Sequence, residues 1–175
     1  MNPEPGDEII TAPITDPGSV MPILQQNAVP IFADVDSKTL NMTPEFIEAN
    51  ITDRTRAIIL VHLFGRPCDI DAVVKIAEKH DLVLIEDCAH VHGASWKGKT
   101  GGHYGFAGSY SFYATKTMPL GEGGMVVSRD KTFLNWLEKY RNYGKDIIDD
   151  QVTYPVKNGF NYRMSEFTAA LGIVQ

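Results

Sequence analysis

Apolar residues along this chain alternate between two rhythms, dense runs and a helical spacing. Four stretches are dense in aliphatic side chains: Glu8 to Pro13, Ala28 to Val35, Arg56 to Leu63 and Leu82 to Asp87. Such runs predict strands covered on both faces, as in a parallel sheet. Between them, Val20, Ile23 and Leu24, and later Ile70, Val73, Val74 and Ala77, recur with the period of a helix. Thr15 or Asp16 before Pro17, and Thr43 before Pro44 and Glu45, are helix start signals. Strand and helix taking turns predict right-handed βαβ units with helices on both faces of the sheet. The fold class is therefore α/β, a three-layer αβα arrangement whose ligand site lies along the C-terminal strand ends.

The second half breaks the rhythm. Val91 to Phe106 is a glycine-rich loop with Trp96, Lys97 and Lys99, long enough to be a candidate for function or subunit contact. Gly108 to Ala114 and Gly124 to Ser128 read as strands, and the segment joining them is too short for a helical crossover. They should pair antiparallel, which makes the sheet mostly parallel but mixed. Lys131 to Tyr143 reads as an amphipathic helix stopped by Gly144. Lys145 to Lys157 is polar and reads as irregular, as does the lead-in from Met1 to Gly6. Met164 to Val174 reads as a helix with Met164, Phe167, Ala170, Leu171 and Val174 on one apolar face.

Composition narrows the function classes. The 175 residues, 43% hydrophobic, suit one globular domain, and a net charge of −6 argues against a nucleic-acid or acidic-membrane surface. With two cysteines and no apolar run long enough for a signal peptide or membrane span, the expected location is the reducing cytoplasm. Cys88, His90 and His92 are spaced too loosely for a metal centre, and a structural zinc site wants four ligands, so no metal is expected.

The candidate chemistry sits between Leu82 and Ser128. Asp87 and Lys116 both follow predicted strands, whose ends converge on one crevice in an open α/β sheet. Alone, the pair also fits a surface salt bridge. Its surroundings change the reading: Ser111 and Thr115 lie close by, and Gly121-Glu122-Gly123-Gly124 offers pliable backbone to a phosphate. One cofactor uses all of these parts. Pyridoxal phosphate (PLP) takes a lysine for its Schiff base, a carboxylate for its pyridinium nitrogen and donors for its phosphate.

At this point a family resemblance is visible. IEDCAH (Ile85 to His90), SFYATKTMPLGEGG (Ser111 to Gly124) and GFNYRMSEFTAALG (Gly159 to Gly172), with GDEII (Gly6 to Ile10) and PIFADVD (Pro30 to Asp36), resemble the DegT/DnrJ/EryC1/StrS family of PLP-dependent sugar aminotransferases. The resemblance implies the large domain of the fold-type I (aspartate aminotransferase) PLP-dependent transferases. It implies that residues 1–175 are a partial large domain, without a preceding segment that supplies a phosphate loop and without a small C-terminal domain. By the same resemblance Lys116 is the catalytic lysine and Asp87 the partner of the pyridinium nitrogen. His90 lies near the cofactor ring, Ser111 binds the phosphate, and Asn161 reaches the phosphate of a partner subunit, with Arg163 a weaker candidate there. A homodimer follows from that last role. The implied reaction moves an amino group, typically from glutamate, to a keto sugar nucleotide. A PLP-dependent dehydratase or regulatory member, or a catalytically silent interaction module, is the alternative; family members with histidine in place of Lys116 dehydrate. One departure is visible: the family often has a ring-stacking aromatic after the first strand, where this chain has Ile14-Thr15-Asp16-Pro17-Gly18-Ser19.

Overall fold

A computed structural model describes residues 2–175; Met1, the first residue of the lead-in, lies outside the described residues. Its first half runs β1 (Glu8–Thr11), a 3-10 turn (Pro17–Ser19), α1 (Met21–Gln25), β2 (Val29–Phe32), α2 (Pro44–Ala49), β3 (Thr55–Val61), α3 (Ile70–Lys79) and β4 (Val83–Asp87). A small hairpin, β5 (Ser95–Trp96) and β6 (Lys99–Thr100), comes before β7 (Ala107–Ser111) and β8 (Gly124–Ser128). The chain then forms α4 (Lys131–Tyr140), a second hairpin of β9 (Asp146–Ile148) and β10 (Gln151–Thr153), and α5 (Glu166–Ile173).

Six strands make one sheet in the order β2-β1-β3-β4-β7-β8, parallel except for β8, which runs antiparallel to β7. Alternating side chains fill both faces. On one, Ile10, Ile58, Leu60 and Leu84 pack with Ile47 of α2 and with Ile70, Val73, Ile76 and Ala77 of α3. On the other, Ile9 and Ala57 pack with Ile23 of α1 and Ala28. Every second residue of β3 therefore meets a different helix layer, as a parallel strand between two layers requires.

Except for α1, which follows directly on the 3-10 turn, the helices and that turn begin where side chains satisfy their free N–H groups. Asp16 accepts from the Gly18 N–H, Thr43 from Phe46, Asp69 from Ala72, Asp130 from Thr132 and Phe133, and Ser165 from Thr168. Of the two caps open in the sequence, Asp16 is the one used. Helix α4 ends at Tyr140, before the sequence reading, and Tyr143 and Gly144 then take left-handed φ of 60° and 76°. A Cβ on Gly144 would run into the Val156 carbonyl, so glycine is required there.

Three segments differ from expectation. Residues 145–157 are not irregular: β9 and β10 pair antiparallel across Asp149 and Asp150, both at positive φ (51° and 60°), the geometry of a tight hairpin turn. Val91 to Phe106 is not an open loop, because it contains the β5–β6 hairpin and returns to the sheet. Helix α5 forms, but its apolar residues are not covered: Phe167 is 90% exposed and Val174, at its end, 77%.

Candidate active site

The order in which strands are added reverses between β1 and β3, since the chain leaves β1 toward β2 and leaves β3 toward β4. Loops from such neighbours separate and open a crevice at the strand C-termini. Asp87 ends β4, in register with Val61 of β3 and Ser109 of β7. The turn after β1 crosses to it: the Ser19 hydroxyl donates to Asp87 Oδ2 at 2.5 Å, and the Ala89 N–H donates to Oδ1 at 3.0 Å. A hydroxyl has one proton, so the Thr15 hydroxyl, 2.8 Å from that of Ser19, is the donor in their contact. Ser19 is buried, and the chain Thr15, Ser19, Asp87 fixes the carboxylate while leaving lone pairs for a ligand.

Lys116 arrives from the other side. Beyond β7 a turn closed by the Lys116 N–H on the Tyr113 carbonyl (2.9 Å) sets the half-buried lysine on a cleft of about 430 Å³. Asp16, Ser19, Asp87, Ser111, Lys116 and Glu122 are among its lining residues. That volume lies in the roughly 300–1,000 Å³ range of small-molecule sites. Ser111 ends β7 and its Oγ accepts from the Tyr113 N–H at 3.3 Å, which leaves its own proton to donate. Larger hollows of about 510 and 730 Å³ adjoin β8, but their walls hold no such amine and carboxylate.

His90 stands beside this cleft rather than in its lining. Its ring stacks on Phe64 with centroids 5.7 Å apart, and its Nδ1 accepts from the Phe64 N–H at 3.4 Å, so the remaining proton sits on Nε2. Burial, then the charge of Lys116, pushes its pKa below the ordinary histidine value, so the ring is neutral near pH 7. His92 lies against Tyr110 and Phe112, its two ring nitrogens buried without a hydrogen-bond partner, and burial pushes its pKa down as well. Cys88, His90 and His92 thus face different neighbours. The trio that does converge is His62, Glu86 and Cys88, with ligand atoms within 4.8 Å of one another. Both Glu86 oxygens already accept N–H groups, and burial pushes the Cys88 thiol far above its ordinary range, which disfavours the thiolate a metal needs.

Asn161 is apart from the cleft. It is exposed, bridges to Asn142, and its Oδ1 accepts from Arg163 Nε at 3.0 Å. Lys116, Asp87 and Ser111 are brought together, His90 borders them, and Asn161 with Arg163 is not joined to them within one chain. Sequence reasoning missed Ser19. The signal available for Ser19 was the departure itself, a polar turn where an aromatic residue was expected. The donor set fits PLP: an amine for its aldehyde, a held carboxylate with free lone pairs for its ring nitrogen, and a hydroxyl for its phosphate.

Comparison with known proteins gives the same direction. GDP-perosamine synthase of Escherichia coli O157:H7 is 40% identical over 97% of this chain and 46% of its own length. L-glutamine:2-deoxy-scyllo-inosose aminotransferase of Streptomyces fradiae is 40% identical over 95% of this chain and 41% of its own. The crystal structure of an aminotransferase from Psychrobacter cryohalolentis superposes with a TM-score of 0.90 at 40% identity, over 97% of this chain and 45% of that one. The chain therefore spans less than half the length of these relatives. Residues 1–175 match the DegT/DnrJ/EryC1/StrS aminotransferase family, and with that match, the fold and the cleft in agreement, the chain belongs to this family.

Proposed function

We propose that this chain is the PLP-binding large-domain part of an aminotransferase that moves an amino group to a keto sugar carried on a nucleotide. The observation that carries the reading is the meeting of Lys116 with a hydrogen-bonded Asp87 in one cleft. When bound, PLP supplies an electrophilic aldehyde and an electron sink. Lys116 would hold it through its side-chain amine and would carry the proton at the reacting carbon. Asp87, held by Ser19 and Ala89, would pair with the cofactor's ring nitrogen and favour its protonated form. Ser111 donates to the phosphate, and His90 offers its Nε2 proton at the border of the site. Asn161 is exposed and outside the cleft, which leaves it free to serve the site of a second copy, and the proposed active unit is a homodimer. No helix among the described residues is long and apolar enough to cross a membrane, and the proposed location is the cytoplasm.

The relatives' names frame acceptor and donor. One names GDP-perosamine and another L-glutamine with 2-deoxy-scyllo-inosose, so glutamine joins the glutamate implied by the family resemblance as a candidate donor. The protein, loaded with PLP, should be given each donor with a GDP- or dTDP-linked keto sugar, or with 2-deoxy-scyllo-inosose, and the products weighed by mass spectrometry. An amino sugar nucleotide supports the proposal. Loss of water from the sugar without amination would assign a dehydratase, and amination of the cyclitol alone would replace the acceptor class.

A further inference from the structure

Glu86 precedes Asp87 on β4 and, by strand alternation, points to the opposite face. There it is fully buried, an expensive place for a carboxylate unless its lone pairs are filled. They are filled by donors from separate segments. Oε2 accepts from the Gly102 N–H at 3.0 Å and from His62 Nε2 at 3.2 Å; Oε1 accepts from the N–H of Tyr104 at 2.8 Å and of Gly105 at 2.7 Å. His62, also buried, has its Nδ1 occupied by the Cys68 N–H at 3.2 Å, so Nε2 carries the proton and is the donor to Glu86. Burial alone would raise the Glu86 carboxyl, but the hydrogen bonds from His62, Gly105 and Gly102 outweigh it and hold the pKa below its ordinary value. The group is an ionised anchor. It joins the loop after β3, the end of β4 and the segment entering β7.

The clamped segment lies flat on the sheet. A Cβ on Gly105 would come within 2.6 Å of the Leu84 carbonyl oxygen, and one on Gly102 would collide with Val127. Neither Glu86 nor the segment it clamps lines the cleft, yet the anchor shares a peptide bond with the residue on which the cleft depends.

We infer that Glu86 is a positioning residue: by holding four donors on the far face of β4, it fixes the backbone that aims the Asp87 carboxylate into the cleft. The inference deepens the PLP reading and rests on it for its functional meaning, although its structural half can be measured without cofactor. Asp87 Oδ1 accepts the Ala89 N–H, so exchange of that amide reports on the aim of the carboxylate from the ligand side. A residue that only secured the loop would leave it unmoved.

The test is amide hydrogen exchange on wild type and Glu86→Gln, in which an NH2 faces donors that need an acceptor. The β3 amides of Ile58 and Leu60 serve to correct for global opening. The expected result is a rise of at least about tenfold at the loop amides that face the new NH2, either Gly102 or the pair Tyr104 and Gly105, with a comparable rise at Ala89. Acceleration of the loop amides with Ala89 unchanged would overturn the proposal, and so would no change at any of them. Should Glu86→Gln fail to fold, His62→Asn removes one donor and keeps the carboxylate; a rise at Gly102 and Ala89 supports the proposal and an unmoved Ala89 overturns it. PLP titration of the same variants is the second arm, with at least a tenfold weaker Kd expected. A wild type that bound no PLP would refute the cofactor reading and leave the exchange result to decide the role of Glu86.

Discussion

Replacing Ser19 with alanine removes one oxygen atom from a buried position and nothing from the sheet, yet it should disturb both folding and cofactor binding. The lost bond is charge-assisted and 2.5 Å long. Such bonds contribute about 1.5–3 kcal/mol. Asp87 and Thr15 are each only half-buried, so water can replace part of what is lost. That places the destabilisation near the lower bound, about 1.5 kcal/mol. If the same energy aims the carboxylate, PLP affinity should fall roughly tenfold, since about 1.4 kcal/mol is one decade. The assay is a double-mutant cycle of Ser19→Ala and Asp87→Ala, read by urea unfolding and by PLP titration. A coupling of at least about 1 kcal/mol in unfolding is expected. Coupling indistinguishable from zero would show that the turn after β1 and the end of β4 do not act on each other, and the geometric basis of the site would fail.

Other consequences follow from packing and burial. Gly105→Ala would bring a Cβ to 2.6 Å from the Leu84 carbonyl oxygen, a backbone atom that cannot step aside. Overpacking of this kind costs about 1–3 kcal/mol, readable as a lower urea midpoint, and an unchanged midpoint would refute the contact. His90 and His92 have folded pKa values below the 6.5 of a free histidine, with burial the largest cause in each. Their neutral forms therefore stabilise the fold above about pH 6.5, and that contribution is lost as pH falls through the lower folded values. His92→Phe, which keeps a ring between Tyr110 and Phe112 and removes two unpaired nitrogens, should match or exceed wild-type stability at pH 7.5 and exceed it further at pH 5.5 in urea unfolding. A variant that lost stability at both pH values would mean that the nitrogens are hydrogen-bonded.

The parallel core was legible because strands buried on both faces leave nearly continuous apolar runs; of the run Arg56 to Leu63, all but His62 and Leu63 lie in β3. The β9–β10 hairpin was hidden for the opposite reason. Its apolar residues face solvent, Ile147 being 71% exposed, so no half-buried alternation marked it. Lys116, Asp87 and Ser111 were readable because strand ends collect at one edge and their residue types fit one cofactor. Ser19 was not, since its contact with Asp87 spans 68 residues and depends on how the turn after β1 crosses the sheet edge. Alternation alone gave the direction of Glu86 away from the cleft. It could not show that backbone N–H groups from Gly102, Tyr104 and Gly105 would gather around it.

The most direct measurement is PLP titration of the protein, borohydride reduction and peptide mapping, with Lys116→Ala in parallel. A pyridoxyl label on Lys116, lost in the variant, is the expected result and would confirm covalent cofactor attachment in the cleft shared with Asp87. A label on another lysine, or equal labelling of wild type and variant, would contradict the central claim.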